Sequence, residues 1–143
     1  MAAIRFARWA MLAGLLAASA CSSSAETPPV PSSAELGARF TLGPDAPVRL
    51  DEDRLTLRLA GVPSDSRCPV DVDCVWAGEA TVVVTATVAN ADTRLELHSP
   101  ANATPDASVG DYQVRLLALH PEPRSKQPVA QSEYRVDLIV TRG

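Results

Sequence analysis

The chain has 143 residues, with 13 basic and 17 acidic side chains and a formal net charge of -4. That length allows one small domain beyond any targeting segment. The acidic balance makes nucleic acid an unsuitable partner and argues against charge-driven adsorption to an anionic bilayer.

The first element is a leader. Arg5 and Arg8 precede the apolar run Trp9 to Ala20, and the small-residue tetrapeptide Ala18-Ser19-Ala20-Cys21 closes it. A charged start, an apolar segment too short to span and a small-residue cleavage site describe an export signal over residues 1–20, not a transmembrane helix. With a cysteine directly after that site, the segment resembles a bacterial lipoprotein signal. The resemblance implies that the leader is removed, that Cys21 becomes the new N-terminus and that its thiol carries diacylglycerol. Stable anchoring takes about two acyl chains, so such a group is a sufficient membrane contact by itself. The resemblance further implies a cell-envelope location outside the cytoplasm. Ser22 is not the aspartate that retains many such proteins at an inner membrane, so in a two-membrane host the periplasmic face of the outer membrane is expected.

The leader holds two of the 13 basic residues and none of the 17 acidic ones, so the chain from Cys21 onward carries -6. It retains one Trp (Trp76), one Phe (Phe40) and two Tyr (Tyr112, Tyr134). Its core must therefore be built from Val, Leu and Ala.

Residues 21–37 follow as a tether. Ser22-Ser23-Ser24 and Pro28-Pro29-Val30-Pro31-Ser32-Ser33 have almost nothing to bury, which predicts a flexible tether, stiffer at Pro28–Pro31, that holds the domain off the bilayer. From residue 38 to 143 the pattern has a period of two. Val48–Leu50 is followed by Leu55, Leu57 and Leu59, which alternate with Thr56, Arg58 and Ala60. Val82, Val84, Ala86 and Val88 alternate with threonines and Val83. Leu95 and Leu97 lie opposite Arg94, Glu96 and His98. Tyr112, Val114, Leu116 and Ala118 share one parity, and Tyr134, Val136, Leu138 and Val140 another. Alternation of this kind marks strands with one face in a core. Asp51-Glu52-Asp53 and Asn90-Ala91-Asp92 predict hairpin turns. Residues 99–111 and 121–132 predict longer connections. Six to seven strands in one domain predict an all-β fold, an antiparallel β-sandwich or small barrel.

The stretch Ser64 to Glu79 departs from this pattern. With Cys21 assigned to lipid, Cys68 and Cys74 remain as an even pair in an exported chain, which predicts a disulfide. Two free or metal-binding thiols are the alternative, but no nearby Cys or His completes a zinc set. In a straight strand the two Cα atoms would lie about 20 Å apart, so a bond requires the chain to fold back between them. Pro69 favours such a bend. Trp76 is expected tucked beneath the loop, and Gly78 is expected to allow either close backbone approach or a bulge before the long strand begins. The words Asp65-Ser66-Arg67-Cys68-Pro69 and Cys74-Val75-Trp76-Ala77-Gly78 resemble a motif of small, uncharacterised bacterial lipoproteins and secreted proteins. The resemblance covers residues 45–90 well and the final strand weakly, and implies an exported, disulfide-bonded β-domain, with no activity attached to it.

Candidate binding residues in this loop are Arg67, Asp71, Asp73, Trp76 and Glu79. Three sharper readings attach to them. Arg67 beside a braced cysteine could enter a trypsin-like pocket if extended and exposed. Asp65, Asp71, Asp73 and Glu79 are hard oxygen ligands, but their spacing matches no EF-hand loop and no metal is assigned. A cysteine pair with five residues between its members is spaced as a structural bond rather than a redox pair. His98 takes the polar parity of its strand, whereas His120 takes the core parity of the Tyr112 strand. No G-x-S-x-G, Walker or H-E-x-x-H pattern occurs, so no catalytic residue and no cofactor is assigned. The sequence thus leads to a non-enzymatic binding or structural module of the cell envelope. It would be held to the membrane through Cys21 and open to an envelope protein partner. The alternative is an inhibitor of, or accessory to, an envelope enzyme acting through loop 64–79.

Overall fold

The computed structural model describes residues 29–99 and 106–143. The leader, Cys21, the start of the tether and residues 100–105 of the expected 99–111 connection lie outside the described residues. Within them, eight strands follow in chain order: β1 (Arg39–Leu42), β2 (Val48–Leu50), β3 (Leu55–Asp65), β4 (Ala80–Val88), β5 (Ala91–Ser99), β6 (Asp106–Val109), β7 (Tyr112–His120) and β8 (Arg135–Arg142). One 3-10 turn, Gln131–Glu133, precedes β8.

The strands form two four-stranded antiparallel sheets, ordered β1-β8-β7-β6 and β2-β3-β4-β5. The expected all-β sandwich is therefore what the chain forms. Leu55, Leu57, Val82, Val84, Ala86 and Leu97 from one sheet meet Leu42, Val114, Leu116, Val136, Leu138 and Val140 from the other, all of them buried. These are the inward positions of the alternation, and burying them drives the two sheets together. The Asp51–Asp53 and Ala89–Asn90 turns sit at positive φ, which suits short acidic and amide side chains.

Three features depart from the sequence reading. First, β1 and β6 are additional strands; with four residues each, neither carries enough alternation to be read. Secondly, the ordered domain begins before residue 38. Ala34 N donates to Arg49 O, Arg49 N donates to Ser32 O, and Val30, Ala34 and Leu36 pack against the core. The late part of the expected tether is a strap on the sheet rather than a free linker.

The third departure is a register shift in β7 between Leu116 and Ala118. A bulge inserts one residue and exchanges the two faces of the strand beyond it. Leu119 therefore turns into the core and His120 turns outward, opposite to the parity expected of His120. A second irregularity around Gly61 in β3 brings Val62 inward after Leu59. The Gln131 side chain covers that site: Val62 N donates to its Oε1 and its Nε2 donates to Val62 O, each at 2.9 Å.

One end of the sandwich gathers the elements that matter below. β3 ends and β4 begins there, with Asp65 paired to Ala80, and so do the end of β7 and the start of β8, with His120 paired to Arg135. The strap also arrives from that end. Ser33 pairs in parallel with Arg49, and β2 runs away from the end carrying the 66–79 loop. Pro29 and Val30 consequently lie on the loop side of Ser33.

Candidate binding loop

The β3–β4 hairpin does not stop at Asp65 and Ala80. Ser66 N donates to Glu79 O at 2.7 Å, Ser66 Oγ donates to the same carbonyl at 2.9 Å, and Cys68 N donates to Ala77 O at 2.9 Å. Gly78 makes this narrow approach feasible. Its φ is +67°, and a Cβ there would stand 1.8 Å from Ser66 O, well inside contact distance. The close backbone approach expected at Gly78 is thus what the loop contains.

Beyond this ladder the chain turns back, with Val72 N donating to Pro69 O at 3.3 Å. Cys68 and Cys74 form the expected disulfide, their Cα atoms 5.9 Å apart. The loop is then pinned to the neighbouring 121–134 connection. Val70 N donates to Pro123 O at 3.0 Å, and Ser125 N donates to an Asp71 carboxylate oxygen at 2.8 Å, with the Ser125 hydroxyl donating to the other. These two Ser125 bonds hold the Asp71 carboxyl below the ordinary carboxylate range.

Arg67 forms the base of the loop. Its Nε donates to Asp65 Oδ1 at 2.8 Å and its Nη2 to Asp65 Oδ2 at 2.7 Å. Nη1 donates to Leu119 O at 2.7 Å and Nη2 also to Pro121 O at 2.9 Å. Tyr134 completes the group, its hydroxyl donating to Asp65 Oδ2 at 3.0 Å. The side chains of Arg67 and Asp65 are 13% and 10% exposed. Burial alone would raise the Asp65 carboxyl, but the hydrogen bonds and charge of Arg67, with help from Tyr134, outweigh it and hold the group low. Burial, reinforced by the Asp65 charge it bonds to, pushes the Tyr134 phenol up to about 12.

The expected site residues therefore fall into two groups. Arg67 and Asp71 are consumed by contacts within the domain. The Arg67 side chain is largely buried and bonded to Asp65, Leu119 and Pro121, so it is not free to enter a trypsin-like pocket. Asp73 and Glu79 are exposed, while Asp65 and Asp71 bind elsewhere, and among the described residues no three potential metal ligands converge. Trp76 is not tucked under the loop: it is 83% exposed, beside Val75 at 93%, Val70 at 51% and Val72 at 44%. What the loop offers is an apolar tip on a polar, fastened base.

One polar cluster lies on another surface. Asp137, on the outward face of β8, accepts from Thr41 Oγ1 at 2.7 Å and Arg39 Nη2 at 2.7 Å, and His120 Nε2 lies 3.1 Å from its Oδ2. Partial burial would raise this carboxyl, but the bonds from Thr41, Arg39 and His120 hold it below its usual range. Sequence reasoning missed the cluster because the β7 bulge reverses His120. The group fastens three adjacent strands, β1, β8 and β7, across the sheet.

Comparison of the chain with family models, with curated proteins and with solved structures finds no match in any of the three.

Proposed function

We propose that this protein is a lipid-anchored module of the cell envelope that binds, without catalysis, through the tip of the 66–79 loop. One observation carries the binding part. Val70, Val72, Val75 and Trp76 stand in solvent on a loop whose base is fixed by the Cys68–Cys74 bond and the Asp65–Arg67 contact. Large apolar groups held outward on a preorganised support lose little further conformational freedom on binding. The anchoring part rests on the leader and Cys21. The non-enzymatic part rests on what the loop's polar groups do: Asp65, Arg67 and Tyr134 are taken up by bonds to one another and to the Leu119 and Pro121 carbonyls, and Asp71 by Ser125.

A second reading, an accessory to an envelope protein, uses the same tip and is favoured by the same bracing. Inhibition through an inserted Arg67 is not part of it. A photoreactive amino acid placed at position 75 or 76 in intact cells tests the binding reading, with exposed Arg58 on β3 as the control position. Adducts are expected from the loop and not from position 58. Equal yields at both positions would remove the loop as the binding surface.

A further inference from the structure

We propose that the surface bound by the apolar tip is the bilayer itself, so that the domain is held to the membrane at two points. This rests on the anchoring reading above and adds an orientation to it. Val70, Val72, Val75 and Trp76 together expose roughly 400–500 Å² of apolar side chain, the size of the largest patch on an ordinary monomer. That is about half of what one partner buries in a stable protein complex. A patch this small does not hold a freely diffusing protein, but a tether raises the local concentration of bilayer enough for a weak contact to persist.

The strap fixes the direction. Pro29 and Val30 lie on the loop side of the Ser33–Arg49 bridge, so the chain leaves the sandwich toward the end that carries Trp76. From Cys21 to Pro29 is eight residues, a reach of at most about 29 Å. Lipid on Cys21 therefore keeps the bilayer within that reach of Pro29, which lies on the loop side of Ser33. Trp suits this position, with an apolar ring for the acyl boundary and an N–H for the headgroups. The valines supply the inserted aliphatic surface.

The charges define which bilayer. Asp71 and Asp73 flank the valines, and the chain from Cys21 carries -6. Zwitterionic phospholipid is the matching surface, and anionic lipid opposes the contact instead of recruiting it.

Every buried core residue lies between Phe40 and Val140, so a chain beginning at Ser22 keeps the whole core. Such a chain, carrying an N-terminal His tag and tethered to nickel-chelating lipid in phosphatidylcholine–phosphatidylethanolamine vesicles, tests the docking. Trp76 is its only tryptophan. Its emission is expected to shift to the blue on tethering and to be quenched by shallow nitroxide-labelled lipid. Added phosphatidylglycerol should weaken both effects, and Val75→Asp, which changes a fully solvated side chain, should abolish them while leaving the circular dichroism unchanged. Unshifted, unquenched emission on tethered vesicles would overturn the proposal, as would a shift that requires a purified envelope protein and not lipid. The tag replaces Cys21, so this result is independent of lipidation. Mass analysis of the natural N-terminus separately tests the anchor.

Discussion

Arg67 and Asp65 meet in a two-pronged contact, Nε to Oδ1 and Nη2 to Oδ2 at 2.8 and 2.7 Å, while the remaining Arg67 donors reach the carbonyls of Leu119 and Pro121. One guanidinium thus ties the end of β3 to the end of β7, joining the two sheets at the base of the loop. Lysine cannot reproduce this fork, because a point charge lacks the planar set of donors. Arg67→Ala is expected to destabilise the domain by about 2–4 kcal/mol, since it leaves a largely buried carboxylate unpaired. Arg67→Lys should recover less than half of that loss. Urea unfolding of the three proteins measures both values.

Two carboxylates and one phenol set the pH limits of stability. Asp65 and Asp137 are held below their unfolded values, so their contribution is complete above about pH 4 and is lost as pH falls toward the lowered folded values. Tyr134 is displaced the other way, to about 12. Its contribution is complete below about pH 10 and is lost as pH rises through the folded value. Melting temperature against pH should therefore fall at both extremes. Asp65→Asn should flatten the acid limb, and Tyr134→Phe should remove a tyrosinate absorbance step near pH 12. An unchanged acid limb in Asp65→Asn would show that the Arg67 contact does not favour the ionised form.

Gly78 combines positive φ with a near collision of any Cβ against Ser66 O. Gly78→Ala should cost about 1–3 kcal/mol and open the Ser66–Glu79 end of the ladder. Amide exchange at Ser66 and Cys68 reads this directly, with faster exchange in the variant. Gly37 also has positive φ but open space around it, so Gly37→Ala should cost less.

The anchoring reading predicts that Cys21→Ala moves the protein from the membrane fraction to a soluble one. If the variant stays with the membranes after a carbonate wash, the cysteine is not what holds it there.

The sandwich is legible because one parity of its long strands is apolar throughout: Leu55, Leu57 and Leu59, Val82, Val84 and Ala86, and Val136, Leu138 and Val140 mark the inward face. What the sequence hid has local causes. β6 is too short to show a period, and the strap at Ser32–Ala34 is held by backbone bonds to Arg49 that no side-chain pattern reports. A single inserted residue near Leu117 reversed His120 and concealed its approach to Asp137. The disulfide and the tight passage at Gly78 were readable from spacing and residue type. Trp76 follows no such signal: a sole tryptophan is expected to be buried, and here it stands in solvent.

Solvent access to Trp76 in the chain beginning at Ser22 tests most directly whether the loop holds its apolar tip outward. The emission maximum should lie close to that of free tryptophan in the folded protein, with iodide quenching it nearly as well as after unfolding. A blue-shifted, iodide-protected emission from the folded monomer would contradict the exposed tip and, with it, the binding surface.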